Sequence, residues 1–182
     1  TMLPNLANAA KPNSKFNGVQ IGVNTGCFVK MSGGSAEHML KYIIQCGISS
    51  VEFRSPEADQ YARAYAKTHA GADPMDAFRA LRKLYNDAGV TIHILRVSTI
   101  GIKKMSTKTI EYYFNAAKAL GAKAIARGHR INKTAAKRLG PIADKHEMML
   151  GFHNHTEIRP DTYDGDILSY GKYLGIQLDV GH

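Results

Sequence analysis

The residues best suited to chemistry lie in two short stretches near the end of the chain. They are Gly151-Phe152-His153-Asn154-His155-Thr156-Glu157 and Leu178-Asp179-Val180-Gly181-His182. Each follows an apolar run, Met148-Met149-Leu150 before the first and Ile176 to Leu178 at the second, so each reads as a place where a buried strand gives way to loop. Imidazoles and carboxylates crowded at a strand end suit a divalent metal or a polar ligand. They suit a hydrophobic core badly, because a buried charge without a partner is costly. His and carboxylate donors together do not select one ion, so Mn, Mg, Co and Zn all fit.

The rest of the chain must position these groups. Val19 to Asn24 reads as a first strand and Ile48 to Phe53 as a second, with Glu52 near its end. Between them Ser35 can cap a helix lined by Met39, Leu40, Ile43 and Ile44 and stopped by Gly47. A longer helical stretch follows, interrupted near Gly71 and restarted by the cap-and-first-turn pair Asp73-Pro74. The third strand is expected over Val90 to Val97, then a helix from about Thr107 to Gly121, and a fourth strand at Ala124 to Ala126. Asn132 caps a further helix that Pro141 should kink or break. A fifth strand is expected at Met148 to Phe152, a short helix at Asp166 to Leu174, and a sixth strand at Ile176 to Leu178.

Strand and helix alternating in series demand parallel strands and right-handed crossovers. No G-x-G-x-x-G follows the first strand, which argues against dinucleotide binding. Polar groups gather instead at many strand ends: Asn24, Glu52, Arg96, His129, His153, His155, Glu157, Asp179 and His182. That distribution is the habit of the (β/α)8 TIM barrel, which the sequence carries through six of its eight units, as if truncated after strand six.

Bulk properties narrow the field further. The 182 residues are 44% apolar and 21% charged, enough to bury one core. No apolar run is long enough to span a membrane. Cys27 and Cys46 lack the spacing of a zinc or redox motif and read as two isolated buried thiols. The net charge of +9 is local: residues 101–140 hold ten Lys/Arg against one acid, Glu111. Such a field could attract phosphate groups or nucleic acid, although solvated helix faces account for most of these lysines. Residues 1 to 17 read as a flexible tail, and Ala7-Asn8-Ala9 also matches the cleavage end of an export signal. His38, His69, His93 and His146 stand apart from any partner motif and read as structural.

A metal held by strand-end His and carboxylate groups can polarise the carbonyl of a sugar while a flanking base removes the adjacent proton, giving isomerisation or epimerisation through an enediolate. Ile21-Gly22-Val23-Asn24-Thr25, Gly47-Ile48-Ser49-Ser50-Val51-Glu52, Ala116 to Ala122 and the two terminal clusters resemble the xylose-isomerase-like TIM barrels over about residues 18 to 182. Among them the sequence is most similar to the sugar phosphate isomerases/epimerases. The resemblance implies that Asp179 ligates the metal and His182 contacts substrate. The family's ligating Glu on the fifth strand falls at about Gly151. Glu157 then matches either a second, sugar-contacting Glu or, as in the inosose dehydratases, the metal ligand itself. His153, His155 and Glu157 are the expected catalytic groups, Glu52 and His129 rim positions for substrate contact, and a divalent metal (Mn, Mg, Co or Zn) the expected cofactor. Expected partners are a small-molecule sugar and a second copy of the chain, with neither membrane nor nucleic acid. Several members of that branch are exported, so the expected location is periplasmic or secreted, and otherwise cytoplasmic. The alternatives are a keto-sugar dehydratase or lyase of the same fold, a nucleic-acid-processing barrel and an inactive fragment.

Overall fold

Strand and helix alternate along the chain much as the apolar spacing requires. The computed structural model describes residues 11–128, 132–156, 159, 161–163 and 165–180. Two compact units are distinguished, with the boundary between His93 and Ile94.

The first unit begins with a hairpin of β1 (Lys15–Phe16) and β2 (Val19–Gln20). Its turn residues Asn17 and Gly18 both have positive φ, 48° and 83°. Asn-Gly is the dipeptide that tolerates this geometry best. Two expectations change as a result. Lys15 and Phe16 pair within the hairpin and are not free tail, and the strand expected over Val19 to Asn24 is split into β2 and β3 (Val23–Asn24). Ser14 sits where the two segments meet: its hydroxyl donates to the Ile21 carbonyl at 2.6 Å and accepts the Ser49 N–H at 2.9 Å.

β3 runs parallel to β4 (Ser50–Arg54), with Asn24 opposite Glu52. A 3-10 turn, Thr25–Phe28, and the short α1 (Val29–Ser32) lead to α2 (Ala36–Gln45), whose N-cap Ser35 accepts the His38 N–H. α3 (Ser55–Thr68) and α4 (Pro74–Asp87) follow, the latter capped by the Asp73 side chain on the Met75 N–H. Met39, Ile43, Phe53, Phe78, Leu81 and Tyr85 form the core of this unit, all fully buried. The Tyr85 hydroxyl donates to the Ala36 carbonyl at 2.7 Å, so its one polar atom is matched.

β5 (Thr91–Arg96) straddles the boundary between the units. In the second unit its later residues pair in parallel with β6 (Ala124–Arg127), β6 with β7 (Met149–His153), and β7 with β8 (Leu174–Gln177). The full hydrogen-bonded order β3-β4-β5-β6-β7-β8 follows the chain. α5 (Thr107–Leu120) starts at Ser106, which caps the Thr109 N–H, and stops at Gly121, φ 74°. α6 (Lys133–His146) starts at Asn132, which caps the Ala135 N–H. Ile92, Leu95, Ile110, Phe114, Ile125, Leu139, Leu150 and Phe152 are buried along these elements.

Three further expectations are corrected. α6 runs through Pro141 without a break. Pro141 and Lys137, whose carbonyl loses its helical donor, are both exposed, so water can replace the missing bond, while Leu139, Gly140 and Ala143 stay buried on the other face. The helix expected at Asp166 to Leu174 is not formed: its described residues are turns and bends, and Leu174 already belongs to β8. Cys27 and Cys46 are exposed, free thiols.

Candidate functional site at the strand ends

Each unit carries polar groups where its strands end. In the first, the Asn24 amide donates to Glu52 Oε1 at 2.5 Å, and its own oxygen accepts the Gly26 N–H at 2.7 Å. Glu52 is half-buried in β4 and held against Asn24. Two residues further on, Arg54 Nε lies 3.6 Å from Glu57 Oε2 at the first turn of α3.

In the second unit, β7 ends on His153, 8% exposed. Its Nε2 lies 3.8 Å from Oδ2 of Asp179, just past the end of β8. His153 is paired in register with Gln177, so Asp179, two residues on, belongs to the same face of the sheet. The His155 ring stands perpendicular to that of His153, centroids 4.7 Å apart, with Nε2 3.1 Å from the Gly128 carbonyl. A carbonyl can only accept, so Nε2 carries the proton and the neutral ring has its lone pair on Nδ1.

Asn154 is the residue that sequence reasoning passed over. It is buried, and its amide donates to the Asp179 carbonyl at 2.7 Å while its oxygen accepts the Asp179 N–H at 2.6 Å. Both ends of one side chain are spent on the backbone of one residue, which fixes Asp179 beside His153. The only signal in the sequence was an Asn between two His, which by itself reads as a spacer.

Gly151 occupies the fifth-strand position where the resemblance would place a carboxylate. A Cβ there would stand 3.2 Å from the Cβ of Gln177, so the neighbouring strand closes over it. Glu157, His129 and His182 lie outside the described residues. The described part therefore brings together His153, His155 and Asp179, with Glu52 held by Asn24 in the first unit.

Among the described residues no three His, Cys, Asp or Glu side chains gather into a metal shell. Two donors do fit one. His153 Nε2 and Asp179 Oδ2, 3.8 Å apart, can both reach a single ion at about 2.0–2.2 Å, the usual bond length to imidazole and carboxylate.

Six parallel strands taken in chain order and joined by helices are the arrangement of the (β/α) barrel. The chain shares this fold with solved structures. It superposes on a sugar phosphate isomerase/epimerase from Parabacteroides distasonis with TM-score 0.53 and 16% identity, covering 96% of this chain and 68% of that one. A xylose isomerase domain protein from Planctomyces limnophilus gives 0.56 at 15% identity over 86% and 61%. The probable 3-DHS dehydratase AsbF of Bacillus anthracis, involved in petrobactin synthesis, gives 0.60 at 13% over 87% and 62%. The chain thus spans roughly two thirds of the length of these structures. No family model and no curated protein matches the sequence. Among the described residues no helix is long and apolar enough to cross a membrane.

Proposed function

We propose that the protein is a metal-dependent isomerase or epimerase of a sugar or sugar derivative. The observation that carries this reading is the convergence of His153 and Asp179 at the ends of adjacent parallel strands, 3.8 Å apart. A divalent ion held by that pair would supply the Lewis acidity that polarises a substrate carbonyl. The chain's own groups do the rest. Asn154 holds Asp179 in place. His155 donates from Nε2 to the Gly128 carbonyl, which orients its ring beside that of His153. Glu157 is the base that takes the proton next to the carbonyl; returned by the same group to the neighbouring carbon it gives isomerisation, whereas epimerisation takes a second acid that delivers a proton to the opposite face. The resemblance assigns substrate contacts to His129 and His182.

The test is washout of a deuterium label from the substrate carbon into water, measured on chelator-treated protein before and after adding Mn2+. Restored exchange in the native protein, with metal binding and exchange both lost in Asp179→Asn and exchange lost in Glu157→Gln, is the expected outcome. Variants that keep both would end the proposal. Loss of the β-hydroxyl after the same proton abstraction would be dehydration, the reaction in AsbF's name, and a product lighter by one water distinguishes it.

A further inference from the structure

The basic block of residues 101–140 builds something more specific than a solvated surface. Within the second unit, the loop between β5 and α5 and the first turn of α6 border an open cavity of about 530 Å³, whose walls also include the apolar Ile102 and Ala135. Lys103, Arg127, Asn132, Thr134 and Arg138 line it, and no carboxylate is among its described lining residues. We propose that this cavity is a binding site for a phosphate group, separate from the His153–Asp179 pair.

Three observations converge. The first is a fixed set of cations. Arg138 Nη1 donates to the Ile102 carbonyl at 2.8 Å and its Nη2 to the Met105 carbonyl, so the guanidinium is held rigidly by neutral acceptors. Those bonds use two of its five N–H donors. Arg127 is 2% exposed and donates from Nε to the Ile100 carbonyl at 2.8 Å. Burial holds it below its ordinary pKa. Lys103, exposed at the mouth, adds a third positive charge.

The second is the start of α6. Asn132 satisfies the Ala135 N–H with its side chain and the Ala136 N–H with its carbonyl. The N–H groups of Lys133 and Thr134 head the helix, where no intrahelical acceptor exists, and the Thr134 hydroxyl stands beside them. Arg138 is four residues beyond Thr134, hence on the same helix face. The third is rigidity of the wall. At Gly101, φ 77°, a Cβ would stand 2.6 Å from Leu139 Cδ1, so the loop is seated directly on α6. Tying this loop down explains the carbonyl bonds of the two arginines; it does not explain why Lys103, Arg127 and Arg138 border one cavity beside a helix N-terminus.

The separation from the His153–Asp179 pair follows from strand alternation. Arg127 is in register with Phe152, and its guanidinium carbon lies 5.8 Å from the Phe152 ring centre. His153 is the next residue, so its side chain leaves the opposite face of the sheet. A phosphate group could arrive here as the free ion or as part of a phosphorylated sugar.

Calorimetric titration at fixed ionic strength separates these outcomes, using inorganic phosphate, a hexose 6-phosphate and the unphosphorylated hexose. Saturable phosphate binding is expected in the native protein. Thr134→Glu should weaken it about tenfold or more by placing a carboxylate at the mouth, while leaving the melting temperature unchanged or higher, because an acid in the first helical turn complements α6. Lys103→Ala should weaken it about two- to fivefold. Asp179→Asn should bind phosphate as the native protein does, even if it abolishes catalysis. Binding of hexose phosphate but not hexose would assign the site to an ester, and binding of inorganic phosphate alone would assign it to the free ion. Absence of saturable binding, equal binding by Thr134→Glu, or loss of binding in Asp179→Asn would each overturn the proposal.

Discussion

Asn154 does at the residue scale what a second layer of side chains does around a metal ligand. Its two bonds clamp the peptide of Asp179 from a neighbouring strand end, so the carboxylate reaches His153 from a backbone that cannot swing. Replacing it by Ala leaves the N–H and the carbonyl of Asp179 to find water in a half-buried place. The expected loss is about 1–3 kcal/mol of stability, the usual penalty for stranding buried polar groups. Urea denaturation gives that number. The label-exchange assay should show a larger deficit than the stability loss explains, because Asp179 is freed to move. An unchanged midpoint together with unchanged exchange would show that the clamp is incidental. The position of His153, His155 and Asp179 at strand ends was readable, since such residue types suit no core. The clamp was not, because an amide that bonds a backbone 25 residues away has no local signature.

At the scale of elements, apolar periodicity located α2, α4 and α5 within a residue or two, and their caps Ser35, Asp73 and Ser106 act as their types require. At Asp166 to Tyr173 tertiary contact overruled local preference. The stretch from Asp166 to Tyr173 carries enough helix formers to suggest a helix. Yet Gly140 of α6 and Gly171 pack backbone to backbone, and a Cβ on Gly140 would stand 2.0 Å from the Tyr170 carbonyl oxygen. The chain there must run as turns to reach β8. Gly140→Ala decides which effect is larger. Helix propensity favours Ala by about 1 kcal/mol. A backbone contact at 2.0 Å cannot be relieved by a side-chain rotation, so overpacking at about 1–3 kcal/mol should win. The variant should melt at a lower temperature than the native protein; a higher one would mean that the turn yields at little cost.

For the molecule as a whole, the alternation of strand and helix and the basic excess were both visible in sequence, but the use made of the charge was not. Part of the block is structural, part lines the cavity, and one acid within it serves stability. Glu111, on α5, accepts from Lys145 Nζ at 2.8 Å and pairs with His146, whose ring stacks on Phe114 with centroids 4.9 Å apart. Hydrogen bonds from His146, then from Lys145, hold the Glu111 carboxyl below its ordinary 4.5. Its folded value is thus lower than its unfolded one. The stabilisation is complete above about pH 4.5 and is lost as pH falls through the lowered folded value. The same fall removes negative charge from a chain already at +9, so self-repulsion adds to the loss. Glu111→Gln should therefore lower the urea midpoint near neutrality, and the gap to the native protein should close as pH drops below about 4.5. Added salt should narrow the gap near neutrality, since the Lys145 side of the pair is exposed and screened. A gap that stays constant with pH would mean that α5 and α6 are joined there by packing alone.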